Sequence, residues 1–176
     1  ADEGFNTLLT CYNAPLSEHL HNIADSEENL TVIGFHKLCK QMVDRASKES
    51  GRNLIEEAKG SYPGMDLWDH HYPIALSYAH EILDDRYDAV VVDEGQDFGE
   101  EFWFPIEILL SDSNNSPLYI FYDENQNVYT RASTFPTDVA PITLTVNCRN
   151  TRQIHKAAYH FYSGAHIDAP SIDGEK

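Results

Sequence analysis

Ala89-Val90-Val91-Val92-Asp93-Glu94-Gly95-Gln96-Asp97-Phe98 is the stretch on which the fold turns. A short apolar run without alternation, rich in β-branched residues, suits a strand buried on both faces, as in a parallel sheet covered by helices. Such sheets bind their ligands beyond the carboxyl ends of the strands, where Asp93 and Glu94 fall. Of two adjacent carboxylates there, one can hold a divalent cation while the other orients or deprotonates a water. The alternative for this pair is an ordinary solvated strand end.

Three further segments share the pattern of an apolar run closing in a polar loop. Leu118-Tyr119-Ile120-Phe121-Tyr122-Asp123 leads into Glu124-Asn125-Gln126-Asn127-Val128-Tyr129. Ile142 to Val146 leads into Asn147-Cys148-Arg149. Thr7 to Tyr12 is followed by Asn13-Ala14-Pro15-Leu16 and a helical spacing of Leu16, Leu20 and Ile23. Phe35 to Lys48 reads as a helix stopped by Gly51. Asp69 to Asp84 and Glu100 to Leu110 read as further helices, the second with Phe102, Ile106, Leu109 and Leu110 inward. A last helix runs from a cap at Asn150 or Thr151 to about Tyr162. A short strand is expected at Thr31–Ile33, and a loop over 60–66. Alternation of strands and helices indicates an α/β sheet with crossover helices.

In this order the segments resemble the first motor domain of UvrD/Rep-type superfamily-1 helicases, over roughly residues 7–160. Asp93-Glu94-Gly95-Gln96-Asp97 matches the Walker B motif II, Asp-Glu-x-Gln-Asp. Asp123 to Tyr129 matches motif III, the segment around Arg149 motif IV, Tyr12-Asn13 motif Ia, and Phe35-His36 the Thr-Phe-His of motif Ib. Tyr122 replaces the usual Gly of motif III, Cys148 the aromatic of motif IV, and Gly34 the Thr of motif Ib. The resemblance implies a RecA-like parallel sheet flanked by helices, here lacking the phosphate-loop strand and helix. Residues 1–165 would be a partial motor domain, and 166–176 a tail or the start of a linker.

It also implies roles and ligands. Asp93 would bind Mg²⁺, Glu94 would be the base for the attacking water, and Arg149 would contact the γ-phosphate of ATP. Gln96 and Gln126 would lie near the nucleotide. Tyr12, Asn13, Phe35, His36 and Tyr129 would contact single-stranded DNA or RNA, aromatic rings stacking on unpaired bases. The bland alternatives are a surface amide for Gln126, a salt bridge for Arg149 and core packing for Phe35. Asp97 and Asp123 would fix the loops. His19, His21, His70 and His71 read as surface histidines, because no third ligand stands at a metal-binding spacing.

No Gly-x-x-x-x-Gly-Lys-Ser/Thr occurs anywhere in the sequence. That loop supplies the N–H groups and Lys that hold the β- and γ-phosphates, so the chain alone is expected not to turn over ATP. It reads as a fragment preceded by that loop, with further motor domains as partners, or as a degenerate relative serving as a protein-interaction module. A neighbour of the absent strand would expose an unpaired edge and promote self-association.

The formal charge is −17, from 12 Lys and Arg against 29 Asp and Glu. Nucleic-acid binding rests on cations that neutralise phosphates, so strand binding is expected through the full-length protein rather than this piece. No run approaches the ~20 apolar residues of a spanning helix. Cys11, Cys39 and Cys148, scattered and odd in number, argue against a disulfide framework or zinc site and for the cytoplasm.

Overall fold

A computed structural model describes residues 4–24, 27–123, 135–146, 150–162 and 166–171. The chain forms two compact units, Ala1–Pro136 and Thr137–Lys176.

The first unit is built on four parallel strands in the order β2-β1-β3-β4. These are β1 (Thr7–Cys11), β2 (Leu30–Val32), β3 (Ala89–Asp93) and β4 (Leu118–Ile120). Register sets Leu8, Val90 and Leu118 in one row across β1, β3 and β4, and Leu9, Val91 and Tyr119 in the next. Because successive side chains alternate between faces, Leu8, Thr10, Val90 and Val92 share one face, and all four are buried. That face carries the core, formed with α2 (Phe35–Ser50), α3 (Leu54–Ser61) and α4 (Tyr72–Leu83), of which α2 lies along α4. The other face is served by α1 (Ala14–Ile23), which packs on β1 and β2. There the row Leu9, Val91, Tyr119 passes from half-buried to exposed toward β4. Among the described residues β4 pairs with β3 alone, so its outer edge has no strand neighbour.

Local chemistry sets the helix limits. The side chain of Asn13 accepts from the Leu16 N–H and caps α1, and Asn53 does the same for α3 through Glu56. Gly51, at φ 72°, ends α2 in the left-handed conformation. The expected helix from Asp69 begins instead as a π-helical turn, Leu67–His71, capped by Asp66, and continues as α4. The expected helix over 100–110 is shorter: a 3₁₀ turn at Glu100–Phe102, then α5 (Trp103–Glu107). Its inward residues Phe102, Ile106, Leu109 and Leu110 are buried as the spacing indicates. His71 is not a surface histidine: it is 4% exposed, and its Nε2 lies 2.9 Å from Tyr62 O.

In the second unit, α6 (Arg152–Tyr159) is capped by Thr151, and Arg152 donates to Pro170 O and Ser171 O. The strand expected over 142–146 is absent as a ladder. A single parallel bridge joins Val146 to Asp168, while Ile142 and Leu144 are exposed. An extended apolar segment becomes a strand only with a partner backbone, and among the described residues of that unit only this one bridge supplies it.

Candidate functional site

Asp93 ends β3 at the carboxyl edge of the sheet and is partly exposed. Its Oδ1 accepts the Glu94 backbone N–H at 3.0 Å. Glu94 takes up φ 54°, ψ 47°, a left-handed conformation uncommon outside glycine. The strand thereby turns abruptly into the 3₁₀ turn Gly95–Asp97.

That turn brings Gln96 back over Glu94. Gln96 is 3% exposed. Its Nε2 donates to Glu94 Oε2 at 2.6 Å, and its Oε1 accepts the Asp123 N–H at 3.0 Å. The Phe121 N–H donates to Val92 O at 2.9 Å, and the Gly95 N–H to Phe121 O at 2.8 Å. The β3–β4 ladder is thus carried past both strand ends by Gly95 and Gln96. Gly95 is required for this closeness: a Cβ there would lie 2.5 Å from Ile120 Cγ2 and 3.4 Å from Phe121 O. The Cys11 thiol, level with Asp93 in the β1–β3 register, is pushed up to about 11, first by burial and then by the Asp93 charge.

A second cluster stands at the carboxyl ends of β1 and β2. The Tyr12 ring lies 5.1 Å from His36 edge-on and 6.2 Å from Phe102, near-parallel. The Asp69 carboxylate is 3.5 Å from Tyr12 Oη and 3.9 Å from His36 Nε2. Trp68 stacks on Tyr72 at 4.5 Å and meets His36 at 5.8 Å. Tyr12 and His36 are half-buried and Asn13 is exposed, its side chain engaged as the α1 cap. Phe35 is fully buried against Phe98 and Phe102, so its ring packs the core and is not presented to a ligand.

The structure therefore brings Asp93, Glu94 and Gln96 together at one edge, and Tyr12, His36 and Trp68 in a neighbouring group. Gln126, Tyr129 and Arg149 lie outside the described residues. The sequence reading missed Trp68 and the packing role of Gly95. Trp68 sits in a run without helical or alternating periodicity, and only its Asp66 cap signals an ordered turn.

A Mg²⁺ ion commonly binds through one or two carboxylates and substrate phosphates rather than an all-protein cage. Asp93 at the strand end suits that shared mode. Among the described residues no group of three or more His, Cys, Asp or Glu is placed to hold a metal unaided. No described helix is long and apolar enough to cross a membrane. Comparison with protein-family models finds no match, and comparison with curated proteins finds none either.

Proposed function

We infer that this chain is part of an ATP-driven motor of the UvrD/Rep helicase type, contributing the water-activating edge of a RecA-like sheet. One observation carries the reading. Adjacent carboxylates close the central strand of a parallel sheet, and the second of them is held by a buried amide. In this scheme Asp93 holds the metal, and Glu94 orients and deprotonates the water. Bound Mg²⁺ would supply charge neutralisation on the phosphates. Gln96 holds Glu94 through an amide N–H and the Asp123 N–H through its oxygen, and in this reading it also lies beside the nucleotide. It is a positioning residue.

The bare outer edge of β4 and the exposed Tyr119 support the same reading. A parallel strand with a following helix would pair the edge and cover the row Leu9, Val91, Tyr119. The phosphate-loop strand and helix form such a unit. ATP and single-stranded nucleic acid would be engaged by the complete motor, with Gln126 and Arg149 on the nucleotide, and Tyr12, Asn13, His36 and Tyr129 on the strand.

The coding sequence on the 5′ side of Ala1 tests this. An in-frame Gly-x-x-x-x-Gly-Lys-Ser/Thr within about one helix of Thr7 is expected. A gene without such a loop anywhere would overturn the motor reading and leave a helicase-derived interaction module.

A further inference from the structure

Residues 61–68, Ser-Tyr-Pro-Gly-Met-Asp-Leu-Trp, are all exposed, although four of the eight are large and apolar. Tyr62, Met65, Leu67 and Trp68 stand between α3 and α4 on a loop with an ordered base. Asp66 Oδ1 accepts from the Trp68 and Asp69 N–H groups at 2.7 and 2.9 Å, and Tyr62 O is held by His71. Trp68 is backed by Tyr72 and His36 yet remains 43% exposed. Contiguous exposed apolar side chains on a braced loop mark an interaction surface, and Trp and Tyr are the residues on which interfaces concentrate their energy.

The charge around the loop selects the partner. Asp66 and Asp69 stand on either side of Trp68 in the sequence, Asp69 approaching Tyr12 Oη and His36 Nε2, and Glu101 Oε1 lies 3.1 Å from His70 Nε2. The backbone N–H groups of Asp69 and Trp68 hold the Asp66 carboxyl below its ordinary value, so it is anionic at neutral pH. Arg86 is the only Lys or Arg between Gly60 and Thr130. Lys59, just before the loop, is paired with Glu56. Across this loop a second copy would set its own Asp66 and Asp69 against these carboxylates, and a phosphodiester laid on the loop would meet the same like charge.

We propose that the 62–68 loop is a docking surface for a basic, apolar segment of a partner polypeptide, an Arg side chain lying over the Trp68 indole beside the Asp66 carboxylate. A guanidinium stacks on an indole face and pairs with carboxylates at once, which a Lys does less well. This does not depend on the motor reading.

The probe is a 16-residue peptide of Leu and Arg at helical spacing, titrated into the full chain while tryptophan emission is followed. Trp103 is buried, so the signal reports Trp68. Binding is expected to shift emission to the blue and to weaken as salt rises. Trp68→Ala is expected to weaken it about tenfold, followed by anisotropy of a labelled peptide. Asp66→Asn keeps a capping side chain while removing the charge, and should both weaken binding and flatten its salt dependence in a protein of unchanged circular dichroism. Equal affinity of the wild type and Trp68→Ala would overturn the proposal. So would tighter binding of a 16-mer oligothymidylate, or a concentration-dependent dimer abolished by Trp68→Ala.

Discussion

Gln96 reaches back two residues to donate its Nε2 to Glu94 Oε2 at 2.6 Å, from a position 3% exposed. The left-handed backbone of Glu94 makes this possible: the chain turns at the strand end, and the following 3₁₀ turn places the amide against the carboxylate. The other end of the amide holds the Asp123 N–H, so one side chain spans the ends of β3 and β4. Removing one partner of a buried hydrogen bond costs about 1–3 kcal/mol.

Gln96→Leu is therefore expected to destabilise the chain by about 1–3 kcal/mol, read as a lower urea midpoint with an unchanged slope. Gln96→Glu would instead place a second carboxylate against Glu94 and raise the proton affinity of the pair. An unchanged midpoint in Gln96→Leu would show that the amide carries no weight in the fold.

Gly95→Ala drives a methyl to within 2.5 Å of Ile120 Cγ2 and is expected to cost about 1–3 kcal/mol through overpacking. Ile120→Ala removes the opposing methyl. The double variant should then be more stable than the sum of the single losses indicates. Strict additivity in a double-mutant cycle would mean the two positions do not meet.

The open edge of β4 predicts association of the isolated chain. Its outer backbone has no strand neighbour among the described residues, and Tyr119 and Phe121 are exposed beside it. Tyr119→Lys with Phe121→Lys should reduce the sedimentation-measured fraction of oligomer, since charge on an edge blocks pairing. A monodisperse wild-type monomer at high concentration would contradict this.

Asp66 gives a pH dependence with a defined sign. Two backbone hydrogen bonds lower its folded value below the ordinary 3.8. The contribution is complete above the unfolded value and is lost as pH falls through 3.8 toward the folded one. The melting-temperature gap between wild type and Asp66→Asn should thus be constant near neutrality and close in strong acid. A gap that widens on acidification would reverse the sign.

Much of the sheet side of the fold was legible. β3 is an apolar run closing in Asp93, β1 carries Leu8 and Leu9 between threonines, and α2 shows an inward face together with the glycine that ends it. The helix Leu54–Ser61 escaped notice because it is short, and Gly60 in its last turn suggests a loop; Asn53 supplies the cap that defines it. Ile142 to Val146 has the composition of a strand, but pairing is a property of the neighbour and cannot be read from the segment. At the site, the resemblance to motif II singled out Asp93, Glu94 and Gln96 and implied a place near the nucleotide for Gln96. The contacts of that amide with Glu94 and the Asp123 N–H depend on the left-handed turn at Glu94, which the residue types do not show. For Phe35 the residues offered both a strand contact, by resemblance to Thr-Phe-His, and core packing, and its helix turns the ring into the core.

The central claim is that Glu94 activates water, and the most direct measurement is steady-state ATP hydrolysis by the protein expressed from its whole gene, with and without oligothymidylate. Wild type should hydrolyse ATP in a Mg²⁺-dependent, strand-stimulated reaction. Glu94→Gln should lower kcat by about 10²–10⁴ while nucleotide binding persists. Equal kcat in the two proteins, with both folded and both binding ATP, would contradict the account.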